Sequence, residues 1–560
     1  MIKNLYCIAG LIIFALSCTN VDNSSFIDFK RSFSQWNLNY SPSTSFITVN
    51  DPLLHQKKFI GEEYTNDIKR FLIELNQINK KRISAENKLE YEAIKNFLER
   101  NIFINETLNF NDWNVLYLLD NYYRHLLYIG KLVQNNYTVD APSIELDLLI
   151  DEIIFFDNQI LFLLNQIKYK YNSEPELLAV SSTIEKMLSY SNYFCNEALN
   201  RTEAASLHPQ IRALLRTMDK LKVWKETHYH KLEPHQDSFS DISYKKYFHL
   251  NSDFKIEFED ILNEAHKMMA EYEKMLFDFS LPLYLDDNDE PVWTDFSDTI
   301  NVVKTVFNTL ENTKYQCSNK DAVIRIIDAS LEDLFSDNLY KNKDIIFIPT
   351  KEEVDRGYNY YDTSESSRLY INSSRRHSDI YENYYFTLMN LLPGDLFIYS
   401  RLINGNDFNH IYLNKNYFYG FKFLLIDYYL NNPIPKSNNL ELCGVKNSEY
   451  LKIMELLYLK DRLVDCVGTI ATINYYLDRK NISEMIQIND RLELIDDRRN
   501  SLLMEEIFGY RMDSIIKFTS LNKLQKLIQS ENKSGGVELL NILYNNPNLS
   551  LVDIEKLFNK

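Results

Sequence analysis

Apolar residues recur along this chain at the three- and four-residue spacing of an α-helix. Phe71, Leu72, Leu75 and Ile78 follow Ile68 in that rhythm, and Tyr91, Ile94, Phe97 and Leu98 repeat it shortly afterwards. A third stretch begins after Pro142 and Ser143 and runs to Ile167, apolar around much of its circumference, which predicts a central helix. The clearest amphipathic segment carries Ile261, Leu262, Ala265, Met268, Met269, Tyr272, Met275 and Leu276 on one face, with Glu264, Lys267, Glu271 and Lys274 opposite. Its methionines read as core packing and not as metal ligands. Two short runs break the pattern and predict strands: Ile345 to Ile348, ended by Pro349, and Leu369 to Asn372. With 45% hydrophobic residues, 14% aromatic residues and only 12 Gly and 13 Pro in 560, the composition favours long helices over a β-sandwich. No internal repeat or low-complexity tract divides the chain, so one mainly α domain is expected over residues 46–560.

The N-terminus sets the compartment. Lys3 precedes an apolar run from Leu5 to Leu16 and then Ser17 and Cys18. That run is shorter than the roughly 20 residues a membrane helix needs, which makes residues 1–17 a secretion signal. Ala15-Leu16-Ser17-Cys18 is a relaxed bacterial lipobox, so Cys18 is the expected lipidated N-terminal residue and residues 18–45 its tether. An ordinary cleaved signal is the alternative. Later apolar runs such as Ile150 to Leu164 are interrupted by Asp151, Glu152, Asp157, Asn158 and Gln159 and could not span a bilayer. The expectation is a folded body in the bacterial cell envelope, held to a membrane through lipid on Cys18.

A net charge of −18 argues against nucleic acid, whose phosphates need clustered Lys and Arg. Pairs such as Arg375 and Arg376 read as solvated faces. Cys195, Cys317, Cys443 and Cys466 lie far apart without ligand spacing, and buried free thiols are expected. The chain has no G-x-S-x-G elbow, no phosphate-cradling glycine loop and no H-E-x-x-H. His228, His230 and His235, beside Glu226, form the only histidine cluster, in a polar stretch that reads as a helix end and loop. His125 and His266 fall at the edges of apolar stripes and are expected to be satisfied core or boundary residues.

Four elements carry a resemblance. Leu369 to Asn372 is followed by Met389-Asn390-Leu391-Leu392-Pro393-Gly394-Asp395, then Tyr419-Gly420-Phe421, then Arg462-Leu463-Val464-Asp465-Cys466-Val467-Gly468-Thr469-Ile470. In order and spacing this resembles the bacterial domain of unknown function 885 family, a helical, often exported group with gluzincin-type zinc-peptidase character. Its pattern is a strand ending in Asn, then H-E-A-x-P-G-H, then E-G-W-A-L-Y, then R-L-V-x-D-x-G-x-H. The resemblance implies a large helical zincin-like domain with a central cleft and a small β element. It also implies that Pro393, Gly394, Gly420, Arg462 and Gly468 keep the family's frame. At the positions of the family's reactive side chains stand Met389, Asn390, Asp395, Tyr419, Cys466 and Ile470.

Hydrolytic zinc needs about three His or carboxylate ligands and an open position for water. Only Asp395 in this set ligates a hard cation, and Asn390 cannot act as a general base. The expected protein is therefore a pseudoenzyme with no metal and no cofactor. Tyr360, Tyr361, Tyr370, Tyr384, Tyr385, Phe397, Tyr399, Tyr417, Phe418, Tyr419 and Phe421 surround the motif segments, so an aromatic cleft that binds a peptide or a sugar is expected. Two alternatives stand beside it: a surface interaction protein or adhesin whose cleft is filled, and a peptidase whose metal ligands have moved elsewhere.

Overall fold

In a computed structural model of the protein, long helices carry most of the described chain, as the helical spacing of its apolar residues requires. The structure describes residues 23–37, 46–48, 62–109, 114–135, 146–165, 169–171, 174–234, 241–252, 256–288, 297–312, 323–327, 335, 344–350, 357–362, 367–374, 380–398, 414–432, 441–442, 445–478, 507, 512–530, 535–547 and 549–559. Cys18 and the leader, Cys317, Cys443, His235 and Tyr399 lie outside them.

The first three helices make a unit with its own core. They are α1 (residues 23–37), α2 (Glu62–Gln77) and α3 (Ala85–Ile102). Phe26, Phe29 and Phe33 of α1 are buried against Ile68 and Phe71 of α2 and Ile94 and Phe97 of α3. Polar contacts fix the same arrangement: Lys30 Nζ donates to Glu90 Oε2 at 2.7 Å, and Trp36 Nε1 donates to Asp67 Oδ2 at 2.9 Å. Of the segment expected to serve as tether, residues 18–45, the part over residues 23–37 is thus helical and packed. Its apolar residues recur every three or four positions and outweigh its polar start.

Four helices follow as a bundle: α4 (Val115–Asn135), α5 (Leu146–Asn165), α6 (Glu174–Leu199) and α7 (His208–His228). The helix expected to be central, α5, instead packs on α4 and α7 and leaves a face open, with Ile154 and Phe162 nearly half exposed. Beyond α8 (Asp241–Asn251) comes α9 (Phe258–Asp287), the predicted amphipathic segment. Ile261, Ala265, Tyr272 and Leu276 are buried, and Met268 and Met269 pack against the same core. α10 (Ser297–Asn312) lies beside α9.

A small sheet interrupts the helices. Its strands are β1 (Phe46–Thr48), β4 (Asp344–Thr350), β5 (Gly357–Asp362) and β6 (Ser367–Ser374), while β2 (Lys170–Tyr171) and β3 (Glu233–Pro234) form a separate parallel pair. Both predicted strands are present as β4 and β6, parallel to each other with Ile345 opposite Leu369 and Ile348 opposite Asn372. β5 pairs antiparallel with the other edge of β6 and β1 closes the far side, in the order β1-β5-β6-β4.

The C-terminal third holds α11 (Ile380–Phe386), α12 (Lys415–Asn431), α13 (Asn447–Ile473), α14 (Asp513–Ser530), α15 (Gly535–Asn545) and α16 (Leu551–Phe558). α13 lies between two apolar cores. Leu456, Leu463, Cys466 and Ile470 face the one shared with α4 to α10, whereas Tyr450, Met454 and Tyr458 face the one shared with α11, α12 and α14 to α16. α12 starts at Asn414, whose Oδ1 accepts from the backbone N–H of Asn416 at 3.0 Å and of Tyr417 at 3.2 Å. No described helix is long and apolar enough to cross a membrane.

Candidate functional site

The second motif element is shaped by its backbone. α11 runs into a widened turn at Thr387–Leu391, the Leu392 N–H donates to the Thr387 carbonyl at 2.8 Å, and a cis Leu392–Pro393 bond follows. At Gly394 a Cβ would lie 2.2 Å from the Met389 carbonyl oxygen, so no side chain fits there. This turn delivers Asp395 into the interior, only 8% exposed, where its Oδ1 accepts from Lys422 Nζ at 2.7 Å. Lys422 is itself 6% exposed. The other two residues of this element take no part in the pair. Asn390 Nδ2 donates back to the Phe386 carbonyl at 3.0 Å, and Met389 packs half-buried against the core of α11 and α12.

α12 carries the third element. A Cβ on Gly420 would meet Leu524 Cδ1 at 3.0 Å and Ser520 Cβ at 3.4 Å, so this glycine sets the close approach of α12 to α14. Tyr419, one residue earlier, is half-buried. Its ring stacks on Phe423 at 6.2 Å, and Lys517 Nζ of α14 sits 5.4 Å from its centroid. Lys422 follows Tyr419 by three positions, which on a helix is the same face.

The fourth element locks onto the third. The Arg462 guanidinium lies 3.5 Å from the Phe423 ring centroid and pairs with Asp465 at 2.7 Å, and the Tyr458 hydroxyl donates to the Phe423 carbonyl at 3.0 Å. The Tyr385 hydroxyl of α11 donates to Asp461. Cys466 is a buried free thiol; burial raises its pKa, Asp465 adds to that effect and Arg462 opposes it. Ile470 is fully buried in the same core, and the Gly468 carbonyl accepts from Thr472 Oγ1 at 2.6 Å. Cys195 is likewise a buried free thiol.

The structure therefore brings the second, third and fourth motif elements into contact and places their compared side chains in different cores. Asp395 meets α12, α12 meets Arg462, and Lys517 bridges from Tyr419 toward Asp465, 4.0 Å away. Met389 faces one core while Cys466 and Ile470 face the other. Through the middle runs a seam of charge, with buried carboxylates from Asp395, Asp465 and Asp513, buried cations from Lys422 and Arg462, and partly exposed ones from Lys415 and Lys517. Lys415 Nζ reaches Asp513 Oδ1 at 2.8 Å. Burial pushes the Asp513 carboxyl up, but Lys415, Lys517 and Arg124 outweigh it and hold the pKa down at about 2. Burial pulls the Lys422 ammonium below the usual lysine range against the attraction of Asp395, with Lys517 and Arg462 adding to the fall. A cavity of about 10 Å³ opens beside Tyr272, Arg462, Asp465 and Gln525, about the space of one water.

Lys422, Lys517, Lys415 and Asp513 were not among the residues the sequence pointed to. One signal was present: Lys422 stands alone among Phe421, Phe423, Leu424, Leu425 and Ile426, and a charge inside an apolar helical run implies a buried partner.

Five of the aromatic residues expected to line a cleft are core instead, while Tyr385 and Tyr419 are half-buried. Tyr384, Phe397, Tyr417, Phe418 and Phe421 are at most 1% exposed. The Tyr384 and Tyr429 hydroxyls lie 3.0 Å apart, and the Tyr417 hydroxyl donates to the Leu543 carbonyl at 2.8 Å. Helix α12 buries most of its circumference, from Asn416 to Leu430, and leaves a stripe through Lys415, Tyr419, Asp427 and Asn431 partly open. The side chains of Tyr360, Tyr361 and Tyr370 lie outside the described residues.

Among the described residues no three His, Cys, Asp or Glu side chains converge so as to hold a metal ion. His228 Nδ1 lies 2.6 Å from Thr227 Oγ1 and its ring stacks on Trp224, while His230 is exposed with its ring edge-on to Tyr229. His125 is satisfied as expected, with Nε2 2.9 Å from Glu152 Oε2 and Nδ1 3.2 Å from Gln159 Oε1. His266 is exposed, outside the boundary position expected for it.

The fold recurs in solved structures. A protein described as a "putative lipoprotein of unknown function" from Shewanella oneidensis superposes with a TM-score of 0.65 at 10% identity, over 96% of this chain and 100% of its own. A second, described as a "putative lipoprotein" from Colwellia psychrerythraea, superposes with a TM-score of 0.64 at 12% identity, over 97% and 98%. At such identity the likeness establishes the fold, and it spans nearly the whole of each chain. No family model matches the chain and no curated protein matches it, so neither comparison supports the resemblance to the domain of unknown function 885 family.

Proposed function

We propose that this protein is a bacterial envelope lipoprotein, anchored through Cys18, that performs no hydrolysis and works through its outer surface. On this reading it is a degenerate relative of the domain of unknown function 885 family whose cleft is filled. The lipobox-like sequence at Cys18 and the descriptions of the two similar structures support the anchor.

The observation that carries the loss of hydrolysis is the buried Lys422–Asp395 pair. In the family pattern the position of Asp395 is a metal-binding His, and that of Lys422 is Ala. Here the side chain that would face a metal instead faces an ammonium already covalently part of the protein. A divalent ion about 4 Å from one such unit charge would meet a repulsion of about 8 kcal/mol at the effective dielectric typical of proteins, which loss of the lysine proton limits to about 4–5 kcal/mol at neutral pH. Arg462 and Lys517 add further positive charge to the same region. The burial of Tyr384, Tyr417, Phe418 and Phe421 favours a filled cleft over one that binds a peptide or a sugar.

Metal analysis of the mature protein from Cys18 onward tests the reading. The native chain and a variant with Met389→His, Asn390→Glu, Asp395→His and Tyr419→Glu are both expected to purify without stoichiometric zinc. Zinc should appear only when Lys422→Ala is added to those four changes. Stoichiometric zinc in the native protein, or peptide hydrolysis abolished by a chelator, would overturn the proposal.

A further inference from the structure

The anchor and the fold together say which end of the molecule meets the membrane. Four residues separate Cys18 from the start of α1 at residue 23, so the first turn of α1 lies at most about 18 Å from the lipidated residue along the chain. That turn is pinned to the α2–α3 connection. Asn23 Oδ1 accepts from the Ser84 backbone N–H at 2.9 Å and from Asn87 Nδ2 at 3.2 Å. The same connection carries Lys80, Lys81 and Arg82 in succession, all exposed. It is held rigid, because Ile83 is buried in the N-terminal core and Asn79 Oδ1 accepts from the Lys81 N–H at 3.1 Å. Two nearby acids are engaged within the unit, Glu90 by Lys30 and Glu92 by Lys80.

A run of three basic residues on a turn is ordinarily just solvated. Two features set this one apart: the chain carries a net charge of −18, and the run stands at the one place the lipid anchor must hold near a bilayer. We infer that the Lys80-Lys81-Arg82 turn, beside the first turn of α1, is a membrane-contact surface that binds anionic lipid headgroups and orients the anchored protein. The diacylglyceryl group of a lipobox cysteine anchors without further help, so the basic turn serves orientation and not attachment. The acidic remainder is repelled by the same surface, so contact through this end is the orientation both forces favour. This inference rests on the Cys18 anchor proposed above.

The test uses the lipidated mature protein mixed with phosphatidylcholine vesicles, with and without phosphatidylglycerol. Flotation reports anchoring, and the acetylation rate of Lys81, read by mass spectrometry against Lys267 and Lys556 outside the N-terminal unit, reports docking. Each basic residue near an anionic surface contributes about 1 kcal/mol, or about fivefold in the docked-to-free ratio. With Lys80 already paired to Glu92, Lys81 and Arg82 together give about 25-fold, so Lys81 should react up to about 25-fold more slowly only when phosphatidylglycerol is present, and recover at about 1 M salt, where the screening length falls to about 3 Å. Arg82→Gln, an exposed change, should remove about fivefold of that protection. Protein that floats but shows the same Lys81 rate on both vesicle types, or the same protection in Arg82→Gln, overturns this inference and leaves the anchor intact. Protein that does not float overturns the anchor and this inference with it.

Discussion

Asp395→Asn and Lys422→Met each break the same buried pair from opposite sides, and the two failures have opposite pH signatures. In Asp395→Asn the ammonium of Lys422 stays in the interior beside Arg462 and Lys517 without its counter-ion. Breaking a buried pair from one side costs about 3–5 kcal/mol. The cost has a ceiling, because a lysine can lose its proton instead, at about 4–5 kcal/mol at neutral pH from its usual pKa of about 10.4. In Lys422→Met the carboxylate is stranded, and protonating it at neutral pH costs about 4 kcal/mol by the same reckoning. The double variant removes both charges and leaves only a buried amide without its partner, so it should cost about 1–3 kcal/mol, less than the two single changes together. The signs follow from linkage. Lys422 has a depressed pKa in the folded state, further depressed without Asp395, so Asp395→Asn regains stability as pH rises, by up to about 1.4 kcal/mol per unit. Lys422→Met does the reverse and regains stability as pH falls toward the usual carboxyl range. Urea midpoints of the anchor-free mature chain between about pH 5 and about pH 9 would show the two slopes. Single variants that each cost under about 1 kcal/mol, or a double variant as damaging as the sum of the two, would refute the reasoning.

Three other outcomes follow from the geometry. Gly394→Ala should cost about 3 kcal/mol or more, because its Cβ would collide with the Met389 backbone; thermal unfolding indistinguishable from native would contradict the turn described. Gly420→Ala should cost only about 1 kcal/mol in the same assay, since its nearest neighbour is the flexible end of Leu524, and a larger loss than at Gly394 would reverse the ranking. Asp513, held at about pKa 2 in the fold and about 3.9 when unfolded, stabilises the protein by about 2–3 kcal/mol above pH 5 and loses that contribution as pH falls through 2. In Asp513→Asn the acid slope of the urea midpoint should flatten by that amount, and an unchanged slope would exclude the Lys415–Asp513 contact as its source.

The helical fold was legible because α2, α3 and α9 repeat their apolar residues with helical period. β4 was legible because an apolar run stops at Pro349. β5 was not, since Gly357-Tyr358-Asn359-Tyr360-Tyr361-Asp362 alternates too weakly and takes its identity from β6 beside it. α1 was hidden for a different reason: it follows an anchor sequence with Asn23, Ser24 and Ser25, which read as tether, although Phe26, Phe29, Phe33 and Trp36 carry helical spacing. At the site, the glycines and Arg462 could be placed by order and spacing, and the structure does bring their elements together. What filled the space between them could not be read, because the partners of Asp395 and Tyr419 lie 27 and 98 positions away, on α12 and α14. The aromatic residues were misjudged on the same ground. A tyrosine in a cleft and a tyrosine in a core differ only in what the neighbouring helices do.

The charged seam settles a question the apolar cores leave open. Helices α12, α13 and α14 are packed by Leu, Ile, Phe and Tyr on both sides of α13, and apolar burial is non-directional, so the cores oppose a slide of one helix by a turn of about 5.4 Å through shape alone, as at Gly420. The polar contacts do not tolerate such a slip. The Asp395 partner is on α12, the ring under Arg462 is on α12 while Arg462 is on α13, and the partner of Asp513 is on α12 while Asp513 is on α14. A one-turn shift of α12 would separate all three at once: it would strand the Asp395 carboxylate and the Lys422 ammonium in the interior at several kcal/mol each, part Asp513 from Lys415, and leave Arg462 with Asp465 but without its ring. The cores thus supply the free energy of association, and the ion pairs select the register in which it is collected. That division of labour makes the interior of this protein a fixed support.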